Sequence, residues 1–595
     1  MANISKKNNI LSITKHVFNM LGAPLIHELP FFLIAVCSTT LIGFYFGFVQ
    51  RIKSHYFILL DNLIISILVG IFFCYLLTAL AYTFKNKIIK YGIYSIIFIL
   101  NFFDYFLAGN FQANIGAEAF RLLAETNYNE ASEFISIFAS SPGTIKAIIK
   151  TIILIVLFLG FQLTYKHFKK LKSFRCYSIT CSSIASFIVI IGIYYCGYFS
   201  YIFKFNTTEE ILDFNYIYHF KDPFSRTFLA CKTLDIAGNE IDTAIETSRN
   251  ISSTSTEQKS PLNIVVVIGE SFNKWHSPIY GYPLNTTPHM LQEYNYGNLI
   301  AFDDVSAPSG TTNLSIKNIF SCNSISHKEQ WFNHPIFTCL FKKAGWNVYL
   351  WDNQQVIDKG TSFSFALNSF LFAPAIMDVA YTDVNKICYD YDEDLIRSFH
   401  KKCTGSKNLV IFHLNGQHAR SKDRYPKQAM FEHFTSDSIK RNESYLTEKK
   451  KTLIAQYDNA TLYNDFVISQ IFKKFNNSNS IVIYFSDHGD EIYDYRDKYL
   501  RHLSEDLSQG MIKYILKVPF FVWVSPKYKE QNPDVIDALK LAKGKKYETD
   551  NLCHMLFSIG HISTNEYKQD RDVLSPNYKQ TKRYTYKATE LCPIE

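Results

Sequence analysis

Five long runs almost free of charge occupy the first third of this 595-residue chain. They fall at approximately 31–50, 57–83, 91–108, 147–165 and 177–204. Each approaches the ~20 apolar residues that a helix needs to cross the hydrocarbon core of a bilayer. Lipid offers no partner to a backbone N–H or C=O, so runs of this length read as membrane-spanning helices. Hydrophobic residues make up 48% of the chain and charged residues only 19%, and this excess is concentrated before residue 205. The expected architecture is an N-terminal five-helix transmembrane domain over 1–205, an interfacial helix and linker over 206–261, and a soluble domain over 262–595. No short apolar segment with a small-residue cleavage site follows Lys6, Lys7 and Lys15, so the N-terminus does not read as a cleaved leader.

Loop charge sets the expected orientation. Lys85, Lys87 and Lys90 lie between the second and third runs, and Lys166, Lys169, Lys170, Lys172 and Arg175 between the fourth and fifth. The 109–145 loop instead carries Glu118, Glu125, Glu130 and Glu133, with Arg121 as its basic residue outside the following run. Basic loops belong inside, which places the N-terminus in the cytoplasm and residues 205–595 outside it. Arg51 and Lys53, in the short first outer loop, run against this trend. Asp61 and Asp104 lie near the outer ends of the second and third runs. Ionisable groups there are candidates for seating a lipid headgroup, against a plain interfacial role.

Seven of the 12 cysteines lie in the exported half, where disulfides are permitted. Cys322–Cys339 and Cys388–Cys403 each close a short loop and are the expected pairs. The net charge of +8 is modest for this length. With no basic stripe or nucleic-acid motif, nucleic acid is excluded as a partner.

The polar Ser/Thr-rich stretch 247–261 marks the boundary of the soluble domain. Beyond it, apolar runs at 263–268, 347–351, 408–414, 480–486 and 518–524 alternate with helical patterns at 313–321, 335–344, 364–371, 392–402, 453–474 and 550–559. That alternation predicts an α/β domain with a largely parallel sheet. In such sheets the chemistry sits beyond the carboxyl ends of the strands.

Several acids and imidazoles fall at those ends. NIVVVIGESF delivers Glu270, and SIVIYFSDHGDE delivers Asp487 and His488. NVYLW is followed by Asp352, Gln355 and Lys359, NLVIFHLNGQH ends on His418, and YLRHLSED supplies His502. Any one acid or histidine here could be a turn former or a helix cap. Together, two carboxylates and an imidazole suit a divalent metal such as zinc. SAPSGTTNLSIKNIFSC adds Thr311 and Thr312 at the start of a helix, where free N–H groups and the dipole favour a phosphate. Either hydroxyl could be an ordinary N-cap or a nucleophile. A Thr oxygen would complete a tetrahedral metal set, and the metal would activate it.

VVIGESFNKWHSPIYGYPLNTTP, residues 266–288, resembles the opening signature of the membrane phosphoethanolamine transferases, within the alkaline phosphatase/sulfatase-like superfamily. SDHGDE resembles a second element of that family, and the five-run layout is similar over nearly the whole chain. The resemblance implies a sulfatase-like α/β domain on the periplasmic side of a bacterial inner membrane. It implies Glu270, Asp487 and His488 as zinc ligands, with Thr312 rather than Thr311 as nucleophile and fourth ligand. His418 and His502 match histidines near the phosphoryl group, as a second metal site or as proton donors, although His418 lacks the Gly-Pro that usually follows. Gln355 and Lys359 match a segment that lines the phosphoethanolamine pocket.

The implied reaction moves phosphoethanolamine from phosphatidylethanolamine to lipid A, a core sugar or another envelope glycan, through a covalent Thr intermediate, in a monomer. The cysteines that flank this Thr in many lipid A enzymes are absent, which leaves core-sugar and glucan acceptors open. The alternatives are a glycerol-phosphate transferase of the lipoteichoic acid synthase type and a non-catalytic membrane sensor. The C/S-x-P-x-R signature is absent, which argues against a formylglycine sulfatase.

Overall fold

A computed structural model describes residues 2–51, 59–111, 115–116, 138–168, 174–205, 222–251, 254–354, 371–372, 374–401, 403, 405–418, 420–500, 508–587 and 590–594. Two compact units result, Met1–Gly238 and Asn239–Glu595.

The first unit is helical: α1 (Ala2–Arg51), α2 (Leu59–Thr83), α3 (Lys87–Phe111), α4 (Pro142–Phe168), α5 (Phe174–Phe199) and the start of α6 (Pro223–Arg249). Among the described residues, four helical segments are long and apolar enough to cross a membrane: Ser12–Thr39, Lys87–Asn110, Pro142–His167 and Ser178–Tyr195. The expected run 57–83 falls on α2, a helix of 25 residues. The apolar part of α2 within the described residues is the shorter Ile67–Thr83. Within α1 the apolar window among the described residues is Ser12–Thr39, which overlaps the expected 31–50.

Helix α1 bends at Glu28 (φ −122°, ψ 25°), between Pro24 and Pro30. Pro30 has no N–H to donate to the carbonyl of Ile26 one turn back, which is how proline bends a helix. The Tyr165 hydroxyl donates to that carbonyl at 2.7 Å. At the bend the Glu28 carboxylate accepts from Lys90 and from Tyr94 of α3. Farther along α3, Asp104 is fully buried and paired with Arg226 of α6, with Nη1 2.9 Å from Oδ1 and Nη2 2.5 Å from Oδ2. The Ile115 amide also donates to Asp104 Oδ1, at 2.8 Å. Asp104 is thus held in an internal ion pair. The Asp61 side chain lies outside the described residues.

The second unit is built on a seven-stranded sheet. Its strands are β1 (Leu262–Gly269), β2 (Leu299–Ala301), β3 (Asn347–Asp352), β4 (Asp383–Val384), β5 (Lys407–His413), β6 (Ser480–Ser486) and β7 (Phe520–Val524). The order across the sheet is β2-β7-β6-β1-β5-β3-β4. The five strands from β6 to β4 run parallel, while β7 pairs antiparallel with β6 and with β2. The sheet is therefore mixed, because β7 runs opposite to the other six strands. The run 518–524 reads as one more buried strand, and nothing in its composition reveals its direction.

Central β1 is buried on both faces. Ile264, Val266 and Ile268 enter one core, and Val265 and Val267 the other. That double burial explains an unbroken β-branched run in place of alternation. Helices α7 (Thr312–Phe320), α8 (Glu448–Phe475) and α9 (Leu552–Ile559) carry buried residues of the same unit. The expected helix 364–371 falls almost entirely outside the described residues.

No disulfide joins Cys322 to Cys339, or Cys388 to Cys403. The Cys322 thiol meets Cys553 of α9, and the Cys339 thiol meets Ser248 and Thr338. Loop closure in sequence did not predict which thiols the helices bring together.

Candidate metal centre and nucleophile

Strand register assembles the site. Gly269 stands opposite Ser486, so the residues that follow, Glu270 and Asp487, emerge side by side. On the other flank His413 pairs with both Ile268 and Asp352. Glu270, Asp487 and His488 are fully buried, and each offers a ligand atom within 4.8 Å of the others. His488 Nε2 lies 3.1 Å from Asp487 Oδ2 and 3.3 Å from Glu270 Oε1.

The loops are shaped to hold this cluster. A Cβ on Gly269 would come 2.1 Å from the Tyr484 hydroxyl oxygen. Ser271 adopts a left-handed φ of 58°, a costly conformation for a residue with a side chain. It turns the Ser271 amide to donate to Asp487 Oδ1 at 3.1 Å, while its hydroxyl donates to Glu270 Oε1 at 2.6 Å. Gly416, also at positive φ (48°), crosses the Glu270 backbone where a Cβ would sit 2.8 Å from the carbonyl oxygen. That turn is pinned by Asp392, which accepts from the Asn415 and Gly416 amides, each at 2.9 Å.

His488 Nδ1 lies 3.1 Å from the Gly489 carbonyl. A carbonyl can only accept, so Nδ1 carries a proton and Nε2 is the nitrogen presented to the carboxylates. Two buried carboxylates converging on an imidazole nitrogen repel unless a cation lies among them. The donor set fits a divalent metal, and its imidazole and few carboxylates favour zinc over the oxygen-rich shells of calcium or magnesium.

Thr312 is the first residue of α7, after Thr311 at the N-cap. Its hydroxyl donates to Glu270 Oε2 at 2.9 Å and lies 3.2 Å from His488 Nε2. The Thr311 hydroxyl instead meets Ser309 Oγ at 3.1 Å. Thr312 is half-buried where its neighbours in the cluster are wholly buried.

The other expected site residues divide. His418 lies on the turn whose Gln417 amide donates to the Glu270 carbonyl at 3.0 Å, but it is not part of the ligand cluster. Gln355, Lys359 and His502 lie outside the described residues. Two features escaped sequence reading. Gln354, next to the expected Gln355, donates to Glu270 Oε2 at 3.2 Å and to the Leu414 carbonyl at 2.7 Å. Buried His413 contacts Asp352 Oδ2 at 3.0 Å. Burial alone would lower the His413 pKa, but the charge of Asp352 and its hydrogen bond outweigh it and raise the value to about 9. A lone histidine inside the run NLVIFHL was the available signal.

Carboxylates and an imidazole gathered at the ends of parallel strands, with a helix-start hydroxyl set on them, define a class of site. Residues 262–549 match the family model described as Sulfatase. The chain is similar to the phosphoethanolamine transferase EptC of Escherichia coli (strain K12), 27% identical over 330 residues, covering 54% of this chain and 55% of that protein. It thus spans about half the length of that relative. It is also similar to the phosphoethanolamine transferase CptA of Salmonella typhimurium, 25% identical over 480 residues and 78% of each chain. Among solved structures, the integral membrane lipooligosaccharide phosphoethanolamine transferase A of Neisseria meningitidis shares the fold. The TM-score is 0.58 at 16% identity, over 92% of this chain and 98% of that one.

Proposed function

We propose that the chain is an inner-membrane transferase, N-terminus in the cytoplasm and sulfatase domain in the periplasm, that moves phosphoethanolamine from phosphatidylethanolamine to an envelope glycolipid. The observation that carries this reading is the Thr312 hydroxyl, 2.9 Å from Glu270 and 3.2 Å from His488, at the head of a helix in a sulfatase domain. The names of the two curated relatives supply the transferred group. Five crossings would put the catalytic unit outside the cytoplasm, beside a lipid donor in the outer leaflet.

Glu270, Asp487, His488 and the Thr312 oxygen would hold zinc, which when bound supplies positive charge that favours the Thr alkoxide and polarises a phosphoryl oxygen. The remaining steps belong to the chain. Thr312 Oγ attacks phosphorus, a new O–P bond forms, and the bond to the diacylglycerol oxygen breaks. The leaving oxygen takes a proton, with His418 and His502 as candidate donors. A hydroxyl or phosphate of the acceptor then attacks the same phosphorus, gives up its proton, and releases Thr312. The α7 N-terminus faces its unpaired amides toward the phosphate throughout. Gln355 and Lys359 are candidates for contacting the phosphoethanolamine group, as is Gln354 from its bond to Glu270.

Incubation of the purified chain with phosphatidylethanolamine, followed by mass spectrometry of the Thr312 peptide, tests this reading. A phosphoethanolamine adduct that is absent from Thr312→Ala is expected. Neither adduct nor diacylglycerol release would leave a membrane sensor. Adduct formation from phosphatidylglycerol instead would favour the less supported glycerol-phosphate alternative.

A further inference from the structure

Inside the first unit, a closed ring of polar side chains links four helices and has no part in the chemistry above. Polar groups within a membrane bundle pair with one another or mark a ligand. Asn101 of α3 donates through Nδ2 to Ser38 Oγ of α1 at 2.9 Å and to the Ile97 carbonyl at 2.9 Å. The next residue of α1, Thr39, has its Oγ1 3.8 Å from Cys74 Sγ of α2. One turn before Cys74, Gly70 makes room for Asp222, since a Cβ there would come 2.9 Å from the Asp222 Cβ. Asp222 caps the start of α6, where the Ser225 amide donates to its Oδ1 at 2.8 Å. Arg226, one turn on, closes the ring by its pairing with Asp104, which lies one turn beyond Asn101.

The donors of this ring are committed. Ser38 Oγ donates to the Ala35 carbonyl at 3.0 Å and Thr39 Oγ1 to the Val36 carbonyl at 3.1 Å. Arg226 donates to the Ile115 carbonyl at 2.8 Å and to the Asp222 carbonyl at 3.2 Å as well as to Asp104. Two acceptors are left over. Asn101 Oδ1 and Asp222 Oδ2 accept no hydrogen bond, although their residues are only 0% and 4% exposed.

Charge is unbalanced in the same direction. The guanidinium of Arg226 is spent bidentately on Asp104, so these two cancel. Asp222 remains as one buried negative charge, and burying a carboxylate without a countercharge is costly. A buried polar atom without a partner calls for a water or an ion. A water molecule would satisfy the two oxygens but not the charge, whereas a cation satisfies both.

We propose that this ring binds a dehydrated monovalent metal cation of sodium size, with Asp222 Oδ2 and Asn101 Oδ1 among its ligands. Carboxylate and amide oxygens are hard donors and suit a hard ion. One surplus carboxylate matches a single positive charge, whereas calcium sites gather about 6–8 oxygens, several of them from carboxylates. The burial of both ligands favours a bare ion over a bulky organic ammonium. Such an ion would tie the start of α6 to α2 and α3, on the stretch of chain that leads into the second unit. The site stands apart from the transferase reading, and neither depends on the other.

The test uses the full chain in neutral detergent micelles and follows its thermal unfolding midpoint. Sodium chloride is exchanged for N-methylglucamine chloride at constant ionic strength, since that cation is too large for a closed site. The midpoint of the wild type is expected to rise saturably with sodium, by about 2–4 °C. Asp222→Asn keeps the shape and the helix cap but removes the charge, so it should fold and lose the sodium response. In sodium-free buffer it should unfold at a higher temperature than the wild type, because no charge is left buried alone. Glu28→Gln, at the bend of α1, should keep the response whatever its own stability. A wild type indifferent to sodium, or an undiminished response in Asp222→Asn, would overturn the proposal. So would an equal response to ethanolammonium chloride, which would assign the ring to a lipid headgroup, or stabilisation by acid in place of sodium, which would assign it to a proton.

Discussion

The Thr312 hydroxyl oxygen and His488 Nε2 lie 3.2 Å apart, although one begins a helix and the other follows a strand 176 positions away. The neighbouring Thr311 hydroxyl is turned to Ser309. Thr312→Ala should therefore lower transfer by about 10³-fold or more, as loss of a nucleophile does. Thr311→Ala, which removes no side-chain cap bond, should cost less than about 1 kcal/mol of stability and little activity. Single-turnover adduct formation on both variants checks this, and the reverse ranking would move the nucleophile to Thr311.

Metal removal should be visible without any substrate. A ligand held at about 100 times its Kd stabilises the native state by about 2.7 kcal/mol. Chelation of the native protein should therefore lower its unfolding midpoint, and returned zinc should restore it. Glu270→Gln should begin low and respond to neither. Metal analysis of both proteins completes the comparison. An unchanged zinc content in Glu270→Gln would remove Glu270 from the ligand set.

Gly416 is placed where only glycine fits, at φ 48° and over the Glu270 backbone. A side chain in the left-handed region costs about 1–3 kcal/mol before any clash is counted. Gly416→Ala should destabilise the fold by at least that amount and weaken metal binding, because relief of the clash displaces Glu270. Denaturant midpoints with and without zinc would measure both effects. A variant as stable as the native chain would show that the turn relaxes freely.

His276 bridges two acids, with Nδ1 2.6 Å from Asp458 and Nε2 3.1 Å from Asp494. Burial opposes its charge, but the two carboxylates win and raise its pKa to about 9. The folded state thus holds this proton more tightly than the unfolded chain, whose histidine titrates near about 6.5. The stabilisation is complete below about pH 6.5 and is lost as pH rises through about 9. The difference in unfolding midpoint between native protein and His276→Asn should be largest on the acid side and shrink with rising pH. A pH-independent difference would mean that packing, not charge, is what His276 contributes.

The Asp104–Arg226 pair is nearly inaccessible to solvent. Breaking one partner of such a pair costs about 3–5 kcal/mol, whereas replacing both by apolar residues is often neutral. Asp104→Leu and Arg226→Met should each lower thermal stability in detergent, and the double variant should recover most of the loss. Additive losses would show that the two side chains act independently.

Much of the site was legible because its elements are local. The run Ile264–Ile268 is too β-branched and uncharged for a surface strand, and Glu270 directly follows its end. Asp487 and His488 repeat that design. Gln354 was not legible, since nothing in its type or spacing sets it apart from the neighbouring Gln355. The partner of Cys322 was equally hidden, because packing of α9 brings Cys553 to it while Cys339 is nearer in sequence.

From the sequence alone follow the apolar helices, the α/β alternation and the residue types at the strand ends, because each depends on composition and spacing over a few turns. Tertiary structure decided the rest. The parallel register of β1 with β6 sets Glu270 beside Asp487, and α7 swings Thr312 rather than Thr311 onto them. Helix packing likewise sets Arg226 on Asp104, 122 positions away. Long-range distances of this kind are set by how elements pack, and a side chain's chemistry changes once burial and a neighbour's charge act on it.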